Sequence, residues 1–329
     1  MMAAMSRFRP SKERGLGRAP RAVARAMVMA AAVTAGCGGG SSSGGEAPSS
    51  PSTRITDRAT TLAPSAFGPA VLLGEIVDET VTESSGLVAS RRNPGRLWTH
   101  NDSDTPPLLS CVEPDGGSCG TWTVDGAANV DWEDIAAGPG PQPGEHYLYV
   151  GDIGDNIRSR DEVVVYRVVE PAVSDPDVAG TTAATGAATA LRLRYDDGAH
   201  DAESLMVHPT NGDLYVVTKE LGNTGVYRAP PGGGALTRIA TLGIGPFGLV
   251  TGADISPDGR RVALCTLVGG FELTLKAGAG FDAIWALAPT ALTLPYRAQG
   301  EAIAYRLDGD ALFLTSEGYP SPLFEVPRI

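Results

Sequence analysis

An internal repeat constrains this chain more than any other feature. Five segments of the 329 residues share one order: a small or acidic residue, an apolar strand, a turn, then a second apolar strand that ends in polar residues. They start at Ser85, Glu133, Glu203, Ala253 and Glu301, spaced by 48, 70, 50 and 48 residues. The third is typical: Glu203-Ser204-Leu205-Met206-Val207, the turn Pro209-Thr210-Asn211-Gly212, then Leu214-Tyr215-Val216-Val217-Thr218-Lys219-Glu220. Asn-Gly and Asp-Gly pairs supply the positive φ angles that tight hairpins need. A period of roughly 40–50 residues with paired strands is the signature of a four-stranded propeller blade. A β-sandwich also has short, evenly spaced strands but needs no such period. Third strands recur at residues 164–168, 225–228 and 323–326, and fourth strands at 191–195 and 236–240. The long second unit holds an Ala/Thr/Gly stretch at 179–190 that reads as a loop insertion.

The chain ends at Ile329, just after the third strand of the last unit, and Val71-Leu72-Leu73-Gly74-Glu75-Ile76-Val77 precedes the first unit without a blade of its own. Supplied to the last blade, this strand closes the ring and leaves no open edge. The expectation is an all-β fold, a single β-propeller of five four-stranded blades over residues 67–329. A sixth blade has room only in residues 266–298.

The N-terminus reads as an address. Arg7, Arg9, Lys12, Arg14, Arg18, Arg21 and Arg25 precede the short apolar run 26–33 and Thr34-Ala35-Gly36-Cys37. A basic region, a short apolar core and small residues describe a secretory signal over 1–36, too short to span a membrane stably. The end of this segment resembles the bacterial lipobox, with Val33 where Leu is usual. That resemblance implies cleavage before Cys37, acylation of its thiol, export, and anchoring of the protein to a membrane in the cell envelope. Residues 37–66, rich in Gly, Ser, Thr and Pro, read as a flexible tether. The formal net charge of −12 includes the signal segment, with its seven basic residues and one acidic one. The remainder is more acidic still, which argues against a nucleic-acid partner and favours cations.

Strand alternation puts the start of each first strand and the end of each second strand on one face. That face gathers Glu133, Glu203 and Glu301 with His100, Asn101, Asp102, Asp152, Glu220 and Glu317 as ligand-binding candidates. Three ring carboxylates close together need a cation, basic or N–H partners, or a shared proton. Three roles follow from this chemistry. Each Glu locks the ring by accepting N–H bonds from a neighbouring blade; or Glu133, Asp152, Asp155 and Glu203 hold Ca²⁺ or another divalent cation through oxygen donors; or a carboxylate pair or His100 performs acid/base chemistry. Cys111 and Cys119 flank the turn 113–117 and are either a local disulfide or two free thiols. Cys265 lies in a predicted strand and reads as a buried small hydrophobe.

Ser85-Gly86-Leu87, Leu97-Trp98, His100-Asn101-Asp102, Asp131-Trp132-Glu133-Asp134-Ile135 and Gly151-Asp152-Ile153-Gly154-Asp155-Asn156 together resemble a group of bacterial propellers similar to the SdiA-regulated and NHL-type proteins. The resemblance spans residues 83–329 and implies the propeller fold. More distantly, the acidic mouth is similar to that of the lactonase-like propellers, which hold a divalent cation with Glu, Asn and Asp. That likeness implies a metal at Glu133, Glu203 and Glu301 with Asp102 or Asp152 nearby, although no Asn aligns with the pattern. The expected function is a lipid-anchored binding or scaffold module for an envelope protein or a small-molecule ligand. The alternative is a metal-dependent hydrolase of a small ester, lactone or phosphoester.

Overall fold

Second strands such as Leu214–Thr218 and Tyr147–Asp152 are buried on both faces, which is why they read as continuous apolar runs rather than alternating ones. In the computed structural model, which describes residues 66–173, 182–245 and 248–329, they sit between neighbouring sheets. The signal segment, Cys37 and nearly all of the tether lie outside the described residues.

The strands form five consecutive antiparallel meanders of four. Blade 1 runs from the channel outward as Ser84–Ala89, Leu97–Asn101, Leu108–Val112 and Ser118–Thr123. Blade 2 is Trp132–Gly138, Tyr147–Asp152, Val163–Val169 and Thr189–Tyr195. Blade 3 is Ala202–Val207, Leu214–Thr218, Gly225–Ala229 and Gly234–Thr241. Blade 4 is Val250–Ile255, Arg261–Thr266, Gly269–Thr274 and Thr290–Leu292. Blade 5 is Gly300–Tyr305, Ala311–Ser316 and Ser321–Pro327, completed by Val71–Ile76 from the N-terminal side. The inner strands pack in cyclic order, each against the next, and blade 5 returns to blade 1. The β-propeller is therefore closed by its first strand.

Five hydrophobic clusters fill the five blade interfaces. Trp98, Trp122, Trp132 and Leu148 lie between blades 1 and 2, and Tyr149, Leu205, Val216 and Tyr227 between blades 2 and 3. Met206 and Trp285 belong to the next interface, Ile303 and Leu312 to the fourth, and Leu87 and Phe313 to the last. Each fully buried large side chain contributes roughly 1.5–3 kcal/mol, so the ring is held through its interfaces. The hairpin turns opposite the mouth carry Gly95, Gly212, Gly259 and Gly309 at φ 90°, 74°, 66° and 74°, a region that a Cβ disfavours.

Some details differ from the sequence reading. Residues 266–298 contain the outer half of blade 4 and a short 3₁₀ segment, Phe281–Ala286. Within the stretch read as an insertion, Thr182–Ala184 pairs in parallel with the outer strand of blade 1, and Thr189 and Ala190 begin the outer strand of blade 2. That outer strand also pairs in parallel with the outer strand of blade 3, Leu193 opposite Gly234. Cys111 and Cys119 are joined as a disulfide across the blade 1 hairpin. Cys265 is buried, with the guanidinium of Arg297 3.2 Å from its sulfur.

Candidate functional site at the channel mouth

Every inner strand breaks register at its mouth end. The shifts fall between Ser84 and Gly86, Trp132 and Asp134, Ala202 and Ser204, Val250 and Gly252, and Gly300 and Ile303. A β-bulge leaves a residue without a cross-strand partner and re-aims its side chain. The residues so placed are Ser85, Glu133, Glu203, Thr251 and Glu301. Blade 4 thus differs from its sequence alignment: Thr251, not Ala253, occupies the mouth position.

The two hydroxyls tie blades together. Ser85 Oγ donates to Glu133 O at 2.8 Å, and Thr251 Oγ1 to Gly300 O at 2.8 Å. The carboxylate lock expected of the glutamates falls instead to two aspartates deeper in the channel. Asp134 accepts from the N–H of Ile135 at 2.8 Å, from Leu205 of blade 3 at 3.0 Å and from Ala253 of blade 4 at 3.3 Å. Asp254 accepts from Tyr305 N–H of blade 5 at 2.8 Å. Burial pushes Asp134 well above the usual carboxylate range against the pull of its N–H donors, and pushes Asp254 up to about 7.

The three glutamates are left to face the mouth, and none is more than 6% exposed. Burial and then the neighbouring Glu203, Asp102 and Asp131 push Glu133 well upward. Glu203 binds the ammonium of Lys219 through Oε1, while its buried Oε2 has no partner. Burial raises Glu203 despite Lys219, with the nearby Glu301 adding to the rise. Glu301 and Glu317 both rise to about 7, each chiefly through burial. The mouth is thus a group of protonatable oxygens around one lysine.

Its tightest cluster lies between blades 1 and 2. Carboxylate oxygens of Asp102, Asp131 and Glu133 all lie within 4.8 Å of one another. Burial, then the charges of Asp102 and Asp201, push Asp131 up to about 6. Gly154 covers this cluster: a Cβ there would stand 2.1 Å from Glu133 Oε1 and 2.4 Å from Asp131 Oδ2. Only glycine leaves that space open.

The other candidates organise the surroundings. Asp152 pairs with Arg160 at 2.8 Å and accepts the N–H of Asp131 at 3.2 Å. Asp155 accepts the N–H groups of Ser159 and Arg160 at 2.9 and 2.7 Å, and its own N–H donates to Asp201 at 3.0 Å. Together these bonds fold the 152–160 loop that carries Gly154. Asn101 Oδ1 accepts from Thr82 and Glu83 N–H at 2.9 and 3.0 Å and so shapes the loop before blade 1. His100 is buried against Trp132, its ring centroid 5.6 Å away, and burial pushes it down to about 4, so it is neutral at pH 7.

Glu220 belongs to a second cluster. His200 bridges it, 3.0 Å from Nδ1, to Asp197, 2.9 Å from Nε2, and the Tyr227 hydroxyl lies 2.8 Å from the same Nε2. A cavity of about 360 Å³ lies beside it, lined by Arg158, Lys219, Glu220, Leu221, Asn223 and Leu249. Sequence reasoning had omitted Asp131, Asp134, Asp254 and His200 from the site. Asp131 and Asp134 flank Glu133 in the same phrase, so their signal was present but not read.

No protein-family model matches the chain, and no curated protein matches it. Among solved structures it is similar to the soluble aldose sugar dehydrogenase of Escherichia coli in its apo form, at 10% identity, TM-score 0.47, covering 79% of this chain and 99% of that one. A luciferin-regenerating enzyme is similar at 12% identity, TM-score 0.42, over 77% and 95% of the two chains. So is a chain of a nidogen/laminin complex, at 15% identity, TM-score 0.42, over 71% and 72%. The fold itself rests on the strand pairing above.

Proposed function

We propose that this protein is an exported, lipid-anchored binding propeller of the cell envelope whose acidic mouth takes up a divalent cation. One observation carries the reading: Asp102, Asp131 and Glu133 converge under Gly154, beside a buried Glu203 oxygen that has no partner. Oxygen-only donors suit Ca²⁺ or Mg²⁺ rather than a softer ion. A dication there would offset the like-charge repulsion that now favours protonation.

The test is a thermal melt of the purified protein in chelator, then with Ca²⁺, Mg²⁺ or Zn²⁺. An ion at one hundred times its dissociation constant stabilises the native state by about 2.7 kcal/mol. The expected result is an upward shift with a hard dication that Asp131→Asn and Glu133→Gln abolish. No shift with any ion overturns the reading. The cavity beside Lys219 and Glu220 has room for a small molecule. It favours, as a second reading, a metal-dependent hydrolase, tested by chelator-sensitive turnover of lactone, ester and phosphoester probes. Anchoring is tested separately by fatty-acid labelling of the full chain, which Cys37→Ser should abolish.

A further inference from the structure

Exposed large apolar side chains are concentrated on one face of the ring. Strand direction assigns the loops that enter inner strands, and those that join second to third strands, to the mouth face. Among the described residues these loops carry Ile157, Leu221, Val268 and Tyr296, exposed by 83%, 67%, 85% and 90%. Val130 and Tyr319 are also exposed there. The opposite end of the ring offers fewer: Leu307 at 36%, with Ile329 at 85% and Val71 and Leu72 at 51% and 55% where the closing strand begins. Apolar residues around a polar centre on one face of a folded ring mark a surface that becomes covered.

Charge selects what covers it. The same loops carry Asp78, Glu79, Asp104, Asp125 and Asp161; of the basic residues there, Lys219 pairs with Glu203, Arg160 with Asp152 and Arg158 with Glu220, so the face stays acidic. Anionic lipid would be repelled. A second copy docked face to face would set one acidic mouth against the other. A basic protein surface meets both features at once.

We infer that the mouth face docks a protein partner presenting a Lys- or Arg-bearing loop, the basic side chain aimed at the acidic mouth and apolar neighbours packed on Ile157, Leu221 and Tyr296. This goes beyond cation uptake and stands or falls separately from it. A standard interface needs about 800 Å² per partner, and the apolar side chains are spread over loops of blades 2 to 5, around the mouth rather than to one side of it.

The probe is a phage-displayed library of short disulfide-cyclised peptides panned on the purified protein. Enriched sequences should pair a Lys or Arg with aromatic or branched apolar residues and should weaken with salt. The combined Ile157→Asp and Leu221→Asp variant should bind them at least about tenfold more weakly, while Leu307→Asp on the far face changes nothing. All three positions are exposed, and unchanged melts of the variants verify folding. Enrichment without basic residues, equal damage from Leu307→Asp, or no enrichment overturns the inference. So does binding to phosphatidylserine vesicles, or self-association in sedimentation that the double variant abolishes, either of which gives the face a different occupant.

Discussion

Replacing Asp134 by Ala tests whether the channel carboxylate, rather than the mouth glutamates, holds the ring. The change removes the acceptor of three N–H groups, two of them from blades 3 and 4. A buried N–H left without its acceptor costs roughly 1–3 kcal/mol, so stranding the two inter-blade donors amounts to about 2–6 kcal/mol. Part of that is offset, because the variant no longer buries a carboxylate that its surroundings push strongly toward protonation. The expected net loss is about 3 kcal/mol, a fall in Tm of roughly 6–12 °C for a domain of this size. Asp134→Asn keeps one acceptor oxygen and should lose about half as much. Urea unfolding followed by tryptophan fluorescence is the assay, since Trp98 and Trp132 are buried between blades 1 and 2. The control is Glu162→Gln, which breaks the exposed pair with Arg192 and should cost no more than about 1 kcal/mol. If Asp134→Ala costs no more than that control, at unchanged m, the locking argument fails.

Three further expectations follow from the mouth and the disulfide. Gly154→Ala should lower the chelated melt by about 1–3 kcal/mol and abolish stabilisation by a dication, because its Cβ fills the space beside Glu133 and Asp131; a retained ion shift places the ion elsewhere. In chelator, stability should fall as pH rises from about 5 to 8. Asp254 and Glu301, raised to about 7 from 3.8 and 4.5, hold protons in the native state that the unfolded chain has released, each on the order of 3 kcal/mol. His100, lowered to about 4, acts oppositely and only between pH 4 and 6.5, so a profile that rises across the whole window refutes protonated mouth carboxyls. Reducing Cys111–Cys119, which are eight residues apart, should cost about 2–3 kcal/mol from loop entropy, read as a lower urea midpoint; an unchanged midpoint shows that the bond adds nothing to stability.

The blade period and the closing strand were legible because inner and second strands repeat as apolar runs between turn residues, and because Val71–Ile76 had no other partner. The parallel pairing of the outer strands of blades 2 and 3 was not legible, since Thr189–Tyr195 and Gly234–Thr241 carry mixed polar sequence with nothing to announce a neighbour. At the mouth, the sequence located the glutamates but not their work. A bulge at Glu133 re-aims it and Asp134, and nothing in the sequence marks which of two adjacent acidic residues turns to the neighbouring blade's N–H groups. In blade 4 the acidic Asp254 drew the alignment two residues past the true bulge at Thr251. Asp131 joined the cluster through a loop, and loop geometry has no period to read.

Closure by the first strand also makes the ring a mechanical latch. The described chain begins at Ala66, whose carbonyl accepts the N–H of Ile329 at 2.8 Å, and Phe67 bridges Arg328. The first described residues and the C-terminal residues are thus clasped to each other. A pull on the N-terminal side loads the ladder between Val71–Ile76 and Ser321–Pro327 before it reaches any other blade. If the protein is tethered through its N-terminus, shear at the membrane is borne by the seam that closes the propeller, and trimming a few C-terminal residues would weaken the hold on the anchored strand.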